Sequence, residues 1–156
     1  TILGTGGAAA SIIAQAALDG VPEIDVIARK GHSWGETEKV VERVNAGTDC
    51  KICMYELADQ VQMKKSIEDS AILVNVGMSP HEDSCLVPDQ TFFHPELIVS
   101  DVIYNPRKTK LLRMAEDVGC STFNGMYMLL YQGAYAFELW TGHEMPVGLV
   151  KEKYFS

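Results

Sequence analysis

Three small residues near the start of the chain have the spacing of a phosphate-binding turn. The stretch "TILGTGGAAAS" places Gly4, Gly6 and Ala9 in the pattern G-x-G-x-x-[GA], after a short apolar run and before an Ala-rich segment. In this pattern the first Gly permits a tight turn and the second lets a pyrophosphate approach the backbone. The helix that follows would offer free N–H groups to the phosphate. We therefore interpret the stretch as a dinucleotide-binding turn, with a plain structural turn as the alternative.

Two cations follow the second predicted strand, where the adenosine ribose of a dinucleotide is usually recognised. An acid at this place bonds the ribose 2′-OH of NAD, whereas basic residues suit the 2′-phosphate of NADP. The chain carries Arg29 and Lys30 between Ala28 and Gly31, and Asp25 lies earlier, inside the strand. The local chemistry favours NADP. A solvated basic turn is the alternative.

Two further patterns have the spacing of chemical sites but lack the context for them. Cys50 and Cys53 form a C-x-x-C pair without a second pair or a His at ligand spacing, so we expect reduced thiols and no metal. Tyr104 and Lys108 form Y-x-x-x-K, a catalytic spacing that requires both side chains on one helix face. Pro106 stands between them and disfavours that helix, so we reject this interpretation.

The elements that would position these residues alternate between strands and helices. The predicted strands are TILG, EIDVIARK, KICMY, AILVN, ELIVSDVIYNP and CSTFNG. The predicted helices are AAASIIAQAALDG, ETEKVVERVNAG, QVQMKKSIEDS, KTKLLRMAEDVG and MYMLLYQGAYAFELWTG, with a further turn or two in the tail. Gly20 and Gly119 mark two of the helix ends. Such alternation predicts one α/β domain over residues 1–156, a doubly wound parallel sheet of about six strands with Rossmann-like αβα layers.

Composition limits the classes of partner. The 156 residues are 47% hydrophobic and 22% charged, with a net charge of −8, which argues against a nucleic-acid-binding footprint. No apolar run approaches the roughly 20 residues of a membrane span, so no membrane partner is expected. Reduced cysteines are the default of a cytoplasmic protein. The absence of an initial Met and the short first strand lead us to expect a chain that was cut at its N-terminus.

The last predicted helix carries three side chains that would share one face. Met128, Gln132 and Tyr135 stand at i, i+4 and i+7. A Gln in an otherwise apolar helix requires explanation, because buried amides need hydrogen-bond partners. Core packing and ligand contact are equal alternatives from these residues alone.

Four stretches resemble the quinate/shikimate dehydrogenase family, most closely its shikimate/quinate branch. They are GTGGAA, VNAGTDC, ELIVSDVIYNPRKTKLL and GMYMLLYQGAYAFELWTG. Members of this family reduce the 3-keto group of 3-dehydroshikimate, or oxidise shikimate or quinate, with NAD or NADP. They have two domains with the active site between them and serve the shikimate pathway of aromatic amino-acid biosynthesis.

The resemblance implies that this chain is the cofactor domain and that an N-terminal substrate domain is absent from it. The Lys and Asp that handle the proton in the family lie on that other domain, so we expect no catalytic residue here and no turnover by the isolated domain. The substrate would be a small molecule, shikimate, 3-dehydroshikimate or quinate, and the protein a monomer or homodimer. A non-catalytic dinucleotide-binding or sensing module is the alternative function.

The resemblance also assigns binding roles to individual residues. The residues that match the pyrophosphate loop are Thr5, Gly6, Gly7 and Ala8, and the motif residues Gly4 and Ala9 complete this part of the predicted cofactor-binding set. Those that match the adenosine side are Ala28, Arg29, Lys30 and Gly31. Those that match the lining of the nicotinamide are Val102, Ile103, Tyr104, Asn105, Gly125 and Met128. Gln132 matches a glutamine that hydrogen-bonds the cyclohexene acid, and Tyr104 lies where substrate would bind.

Two departures from the family pattern leave questions open. The family has Asn-x-Thr-x-x-Gly-Met after the fourth strand, and this chain is three residues shorter, running from Asn75 directly through Val76 and Gly77 to Met78. Asn75 is counted among the cofactor-binding residues. Either three residues are deleted or a mobile stretch is missing, and we favour the second because such loops are often mobile without ligand. The adenosine-side residues match neither branch fully, so the choice between NAD and NADP stays open.

Overall fold

Parallel strands form one sheet whose order places the first strand at its centre. The computed structural model describes residues 1–77 and 84–155, and within them the sheet has six strands in the order β3-β2-β1-β4-β5-β6. Every described strand pairing is parallel. The strands are β1 (Ile2–Leu3), β2 (Glu23–Ala28), β3 (Lys51–Glu56), β4 (Ile72–Asn75), β5 (Ile98–Asp101) and β6 (Ser121–Phe123). This confirms the predicted doubly wound parallel sheet.

Among the described residues, α-helices follow every strand except β4, and their ends lie within two residues of the predicted ones. The helices are α1 (Gly7–Leu18), α2 (Trp34–Gly47), α3 (Gln60–Glu68), α4 (Lys110–Val118), α5 (Met126–Thr141) and α6 (Val147–Tyr154). Gly20 follows α1 with φ +90° and Gly119 caps α4 with φ +97°, a backbone region that favours glycine. The tail forms the eight-residue helix α6.

Two hydrophobic clusters cover the two faces of the sheet. In β1, Ile2 packs with Ile13 of α1 and Val41 of α2, whereas Leu3 packs with Met63 of α3 and Leu111 of α4. Successive strand residues point to opposite faces, so one two-residue strand contributes to both clusters. Helices on both faces account for the nearly continuous apolar strands. The result is the predicted αβα three-layer arrangement.

Helix α2 begins two residues before the predicted start at Glu36. Its first residue is Trp34, and Ser33 occupies the N-cap position without a capping side-chain hydrogen bond. The Ser33 hydroxyl instead lies 2.8 Å from the Thr5 hydroxyl in the glycine turn. A tertiary contact therefore replaces the local capping interaction on which sequence-based helix starts depend.

Helix α5 is apolar yet lies largely in contact with solvent. Within this fully described helix Leu130 is the buried residue, while Leu139 is 82% exposed and Trp140 81%. Met128 and Tyr135 are exposed too, so the alternative that they belong to the core of this chain is wrong. In the part of the chain that the structure describes, no helix combines the length and apolar character needed to cross a membrane.

Backbone hydrogen bonds fix the residues that follow β4. The Val76 N–H donates to the Leu3 carbonyl, and the Gly77 N–H donates to Asn75 Oδ1 at 3.1 Å. The sequence is three residues shorter here than the family pattern, and whether these residues are deleted or belong to a missing mobile stretch stays a prediction. Met78 lies outside the described residues.

Candidate dinucleotide-binding site

The strand order creates a crevice at the carboxyl edge of the sheet, between β1 and β4. From β1 the chain proceeds outward through β2 and β3, whereas β4, β5 and β6 extend in the other direction. In open α/β sheets ligands bind where the connections diverge in this way. The glycine turn follows β1 on one side of the crevice, and the Asn75–Gly77 turn follows β4 on the other. The predicted phosphate-binding turn therefore lies at the expected ligand position.

Glycine occurs at positions 4, 6 and 7 of the turn for different structural reasons. Gly4 has φ +108°, and a Cβ on it would lie 2.8 Å from the Gly77 backbone nitrogen, so both conformation and packing require Gly there. A Cβ on Gly6 or Gly7 would meet nothing within 4 Å. The turn therefore has an open side at the start of α1, where the Gly7 and Ala8 N–H groups precede Ala9 and Ala10, whose N–H groups donate to the Gly6 carbonyl. Space and donors for an anionic pyrophosphate occur together.

Hydrogen bonds fix the glycine turn to α2. Besides the contact between Thr5 and Ser33, the buried Thr37 hydroxyl donates to the Thr5 carbonyl at 3.2 Å. Thr5 itself is 8% exposed. Both contacts attach the turn to α2 and restrict the positions that its backbone can take.

The adenosine-side residues lie beside an open cavity of about 440 Å³ at the carboxyl ends of β2 and β3. Lys30 and Trp34 line one part of it, and Tyr55, Glu56 and Asp59 line another. Lys30 Nζ lies 2.5 Å from Glu56 Oε1 and 5.7 Å from the centre of the Trp34 ring. Lys30 was predicted from the sequence, whereas Glu56, which the pairing of β2 with β3 brings next to it, was not.

Tyr55 adds an uncharged phenol to the same cavity. Burial, supported by a hydrogen bond with Cys53, raises the pKa of Tyr55 to about 12. The phenol is therefore protonated at neutral pH and can donate a hydrogen bond. All four cysteines, including Cys53, are free thiols.

A buried carboxylate organises the opposite side of the crevice. Asp101, at the end of β5, is 1% exposed and accepts hydrogen bonds from Asn75 Nδ2 at 3.0 Å, the Ile103 N–H at 3.1 Å and the Thr109 hydroxyl at 2.7 Å. Thr109 also caps α4. One side chain therefore fixes the end of β4, the loop after β5 and the start of α4. Asn75 was predicted, whereas Asp101 and Thr109 were missed.

The loop after β5 and the start of α5 are in direct backbone contact. The Gly125 N–H donates to the Ile103 carbonyl at 3.0 Å, and a Cβ on Gly125 would lie 1.9 Å from the Val102 carbonyl oxygen. The segment 102–105 and Gly125, predicted together as the nicotinamide lining, are thus neighbours in space. Tyr104 is 47% exposed and Met128 44%, so both side chains are accessible to solvent.

Gln132 lies further along α5. It is exposed and stands seven residues after Gly125, a rise of about 10 Å. Met128 precedes it by one turn on the same face. The structure therefore presents Gln132 on the surface of the helix that begins at the crevice.

Comparisons with known proteins identify close relatives over the whole chain. The family model for the shikimate 5′-dehydrogenase C-terminal domain matches residues 125–153. A shikimate dehydrogenase (NADP⁺) of Listeria monocytogenes serotype 4b is 51% identical over 158 residues, covering 99% of this chain and 54% of the relative. The chain thus spans about half the length of the curated relatives it matches.

Solved structures agree with the sequence comparisons. A shikimate 5-dehydrogenase from Listeria monocytogenes, crystallised with shikimate and NAD, has a TM-score of 0.91 at 49% identity and covers 97% of this chain and 53% of that one. A shikimate dehydrogenase crystallised with NADP⁺ has a TM-score of 0.75 at 28% identity, covering 97% and 51%.

The central β1, the divergent connections and the glycine turn define an αβα fold of the Rossmann type. The relatives specify the family within that large class. The chain belongs to the shikimate/quinate dehydrogenase family.

Proposed function

We propose that this chain is the cofactor-binding part of a shikimate dehydrogenase, which transfers hydride reversibly between a nicotinamide and the 3-keto or 3-hydroxyl group of 3-dehydroshikimate and shikimate. Quinate is a further candidate substrate. The observation that carries the proposal is the arrangement at one sheet edge of an open glycine turn and the Gly125–Val102 contact. Relatives named shikimate dehydrogenase (NADP⁺) support the choice of substrate class.

The residues at the crevice divide the binding of NADP or NAD among them. The turn from Gly4 to Ala9 would hold the pyrophosphate, and the segment from Ala28 to Gly31 the adenosine ribose. On the other side, the segment 102–105 with Gly125 and Met128 would orient the nicotinamide. Asn75 would help to hold the cofactor between these two sides. The bound dinucleotide supplies the hydride, and this chain supplies the geometry of transfer.

The exposed apolar face of α5 supports the proposal that the enzyme has a second domain. Monomeric proteins rarely expose large contiguous apolar patches, yet Tyr135, Leu139 and Trp140 are each at least 74% exposed. The curated relatives extend well beyond the region matched by this chain. We propose that a substrate-binding domain covers this face, brings the proton-transfer groups and closes the cleft over Tyr104 and Gln132. The free thiols support a cytoplasmic location.

The test is a turnover assay on the full-length gene product that carries this sequence. Shikimate and quinate are each offered with NADP⁺ and with NAD⁺, and reduced cofactor is followed by absorbance. We expect oxidation of shikimate with at least one dinucleotide. Binding of a dinucleotide without turnover of either substrate would favour the sensing-module alternative instead.

A variant of Gln132 separates substrate binding from cofactor binding in the same assay. In Gln132→Ala the KM for shikimate should rise at least tenfold, since a lost hydrogen bond to a bound polar group costs about 1–3 kcal/mol. The dissociation constant of the dinucleotide should stay within twofold. Gln15→Ala, on the exposed surface of α1 where Gln15 bonds Asp19, is the control. Equal behaviour of both variants would contradict the role of Gln132.

A further inference from the structure

Lys30, one of the two cations in the predicted ribose segment, is already bound to a carboxylate of this chain. Its Nζ contacts Glu56 Oε1, and the two side chains are 61% and 51% exposed. The backbone fixes this meeting, because Ala28 pairs with Glu56 in the β2–β3 register and the Leu57 N–H donates to the Ala28 carbonyl at 2.8 Å. Glu56 is therefore held beside the segment that would recognise the adenosine ribose.

Two other charged residues, Arg29 and Asp59, lie in or near the predicted ribose segment. Arg29 precedes Lys30 in the chain and is exposed. Asp59 lines the same cavity, but its carboxylate caps α3 by accepting the Gln62 N–H at 2.9 Å. Glu56 is thus the carboxylate whose observed partner is one of the two cations predicted to bind a 2′-phosphate.

We propose that Glu56 is a specificity-determining residue that, by holding Lys30, lowers the preference for NADP over NAD. This inference rests on the proposed dinucleotide function. A 2′-phosphate carries a charge of about −1.5 to −2 and gains most from a cation without a competing anion. With Glu56 present, the phosphate must either share Lys30 with Glu56 or displace Glu56 from it. NAD has no phosphate there, so its binding does not depend on freeing Lys30.

The experiment measures the dissociation constants of NADP⁺ and NAD⁺ in the full-length protein by calorimetry at low ionic strength. In Glu56→Gln the ratio of NADP⁺ to NAD⁺ affinity should rise about tenfold, equivalent to about 1.4 kcal/mol, through tighter NADP⁺ binding. NAD⁺ affinity should change less than twofold. The gain should shrink with added salt, because exposed charges are screened.

The chain provides a matched control at the other end of the same two strands. Glu23 pairs with Lys51 across β2 and β3 at 3.1 Å, the same kind of exposed ion pair. Glu23 lies five positions before Ala28, about 17 Å along the strand, so its charge acts on the ribose segment far more weakly than that of Glu56, which contacts Lys30 directly. Glu23→Gln removes the same charge from the molecule and should leave the NADP⁺/NAD⁺ ratio within twofold.

A double variant tests whether Glu56 acts through Lys30. In the Lys30→Gln background, Glu56→Gln should no longer raise the ratio by more than twofold. A gain that persists without Lys30, an equal gain in Glu23→Gln, or an unchanged ratio in Glu56→Gln would each overturn the inference. Failure of the unaltered protein to bind either dinucleotide would instead count against the proposed function itself.

Discussion

Replacing Gly125 with Ala is expected to lower kcat/KM by about 100-fold and the free energy of unfolding by about 3 kcal/mol. The added Cβ would lie 1.9 Å from the Val102 carbonyl oxygen and 2.5 Å from its carbon. Backbone atoms cannot move away as a flexible side chain can, so the loop after β5 and the start of α5 must separate. Steady-state kinetics and urea denaturation of the full-length protein measure the two effects.

Gly47→Ala is the matched control for this substitution. Gly47 ends α2, and a Cβ there would meet nothing within 4 Å. In a helix Ala is favoured over Gly by about 0.5–1 kcal/mol, so stability should be unchanged or slightly raised and kcat/KM unaffected. If Gly125→Ala behaved like this control, the contact between the two segments would not be needed for function.

The second large effect is expected at Asp101. Replacement by Ala leaves three donors without their acceptor in a buried place, namely the Asn75 amide, the Ile103 N–H and the Thr109 hydroxyl. Each unsatisfied buried group costs about 1–3 kcal/mol, so we expect a loss of about 3–5 kcal/mol in the free energy of unfolding. Weaker dinucleotide binding should accompany it, because the segment 102–105 loses its support.

Asp101→Asn distinguishes the hydrogen-bond pattern from the charge. The Asn oxygen can accept from Asn75 and Ile103, which both bond the same carboxylate oxygen, while its amide donates to the Thr109 hydroxyl. Stability should therefore stay within about 1 kcal/mol of the unaltered protein. A loss as large as that of Asp101→Ala would show that the charge, and not the number of acceptors, is what the site requires.

Sequence signals predicted helix ends and turns well where the backbone conformation of a single residue determines them. Gly20 and Gly119 were predicted to end helices, and both adopt positive φ. Gly4 was predicted as the tight-turn residue of the phosphate motif, and it too has positive φ. The start of α2 was misplaced because Ser33 bonds Thr5, 28 positions away, instead of its own helix.

The pairing register between neighbouring strands explains which residues of the site were not predicted from the sequence. Asn75 meets Asp101 because these residues are directly paired between β4 and β5, and Lys30 meets Glu56 because Glu56 pairs with Ala28. No motif within one strand reveals which residue of the next strand lies beside it. The exposure of Gln132 was equally hidden, since an apolar helix normally predicts burial.

The positions of the two tryptophans give the molecule built-in optical labels. Trp34 lies beside Lys30 at the cavity next to the carboxyl ends of β2 and β3, and Trp140 lies 81% exposed on the uncovered face of α5. Indole fluorescence changes with nearby charge and with the polarity of its surroundings. Emission from Trp34 is therefore expected to report on the proposed ribose site, and emission from Trp140 on the proposed domain that covers α5. With one tryptophan replaced by Phe at a time, nucleotide occupancy and domain docking can be followed as separate signals without an attached dye.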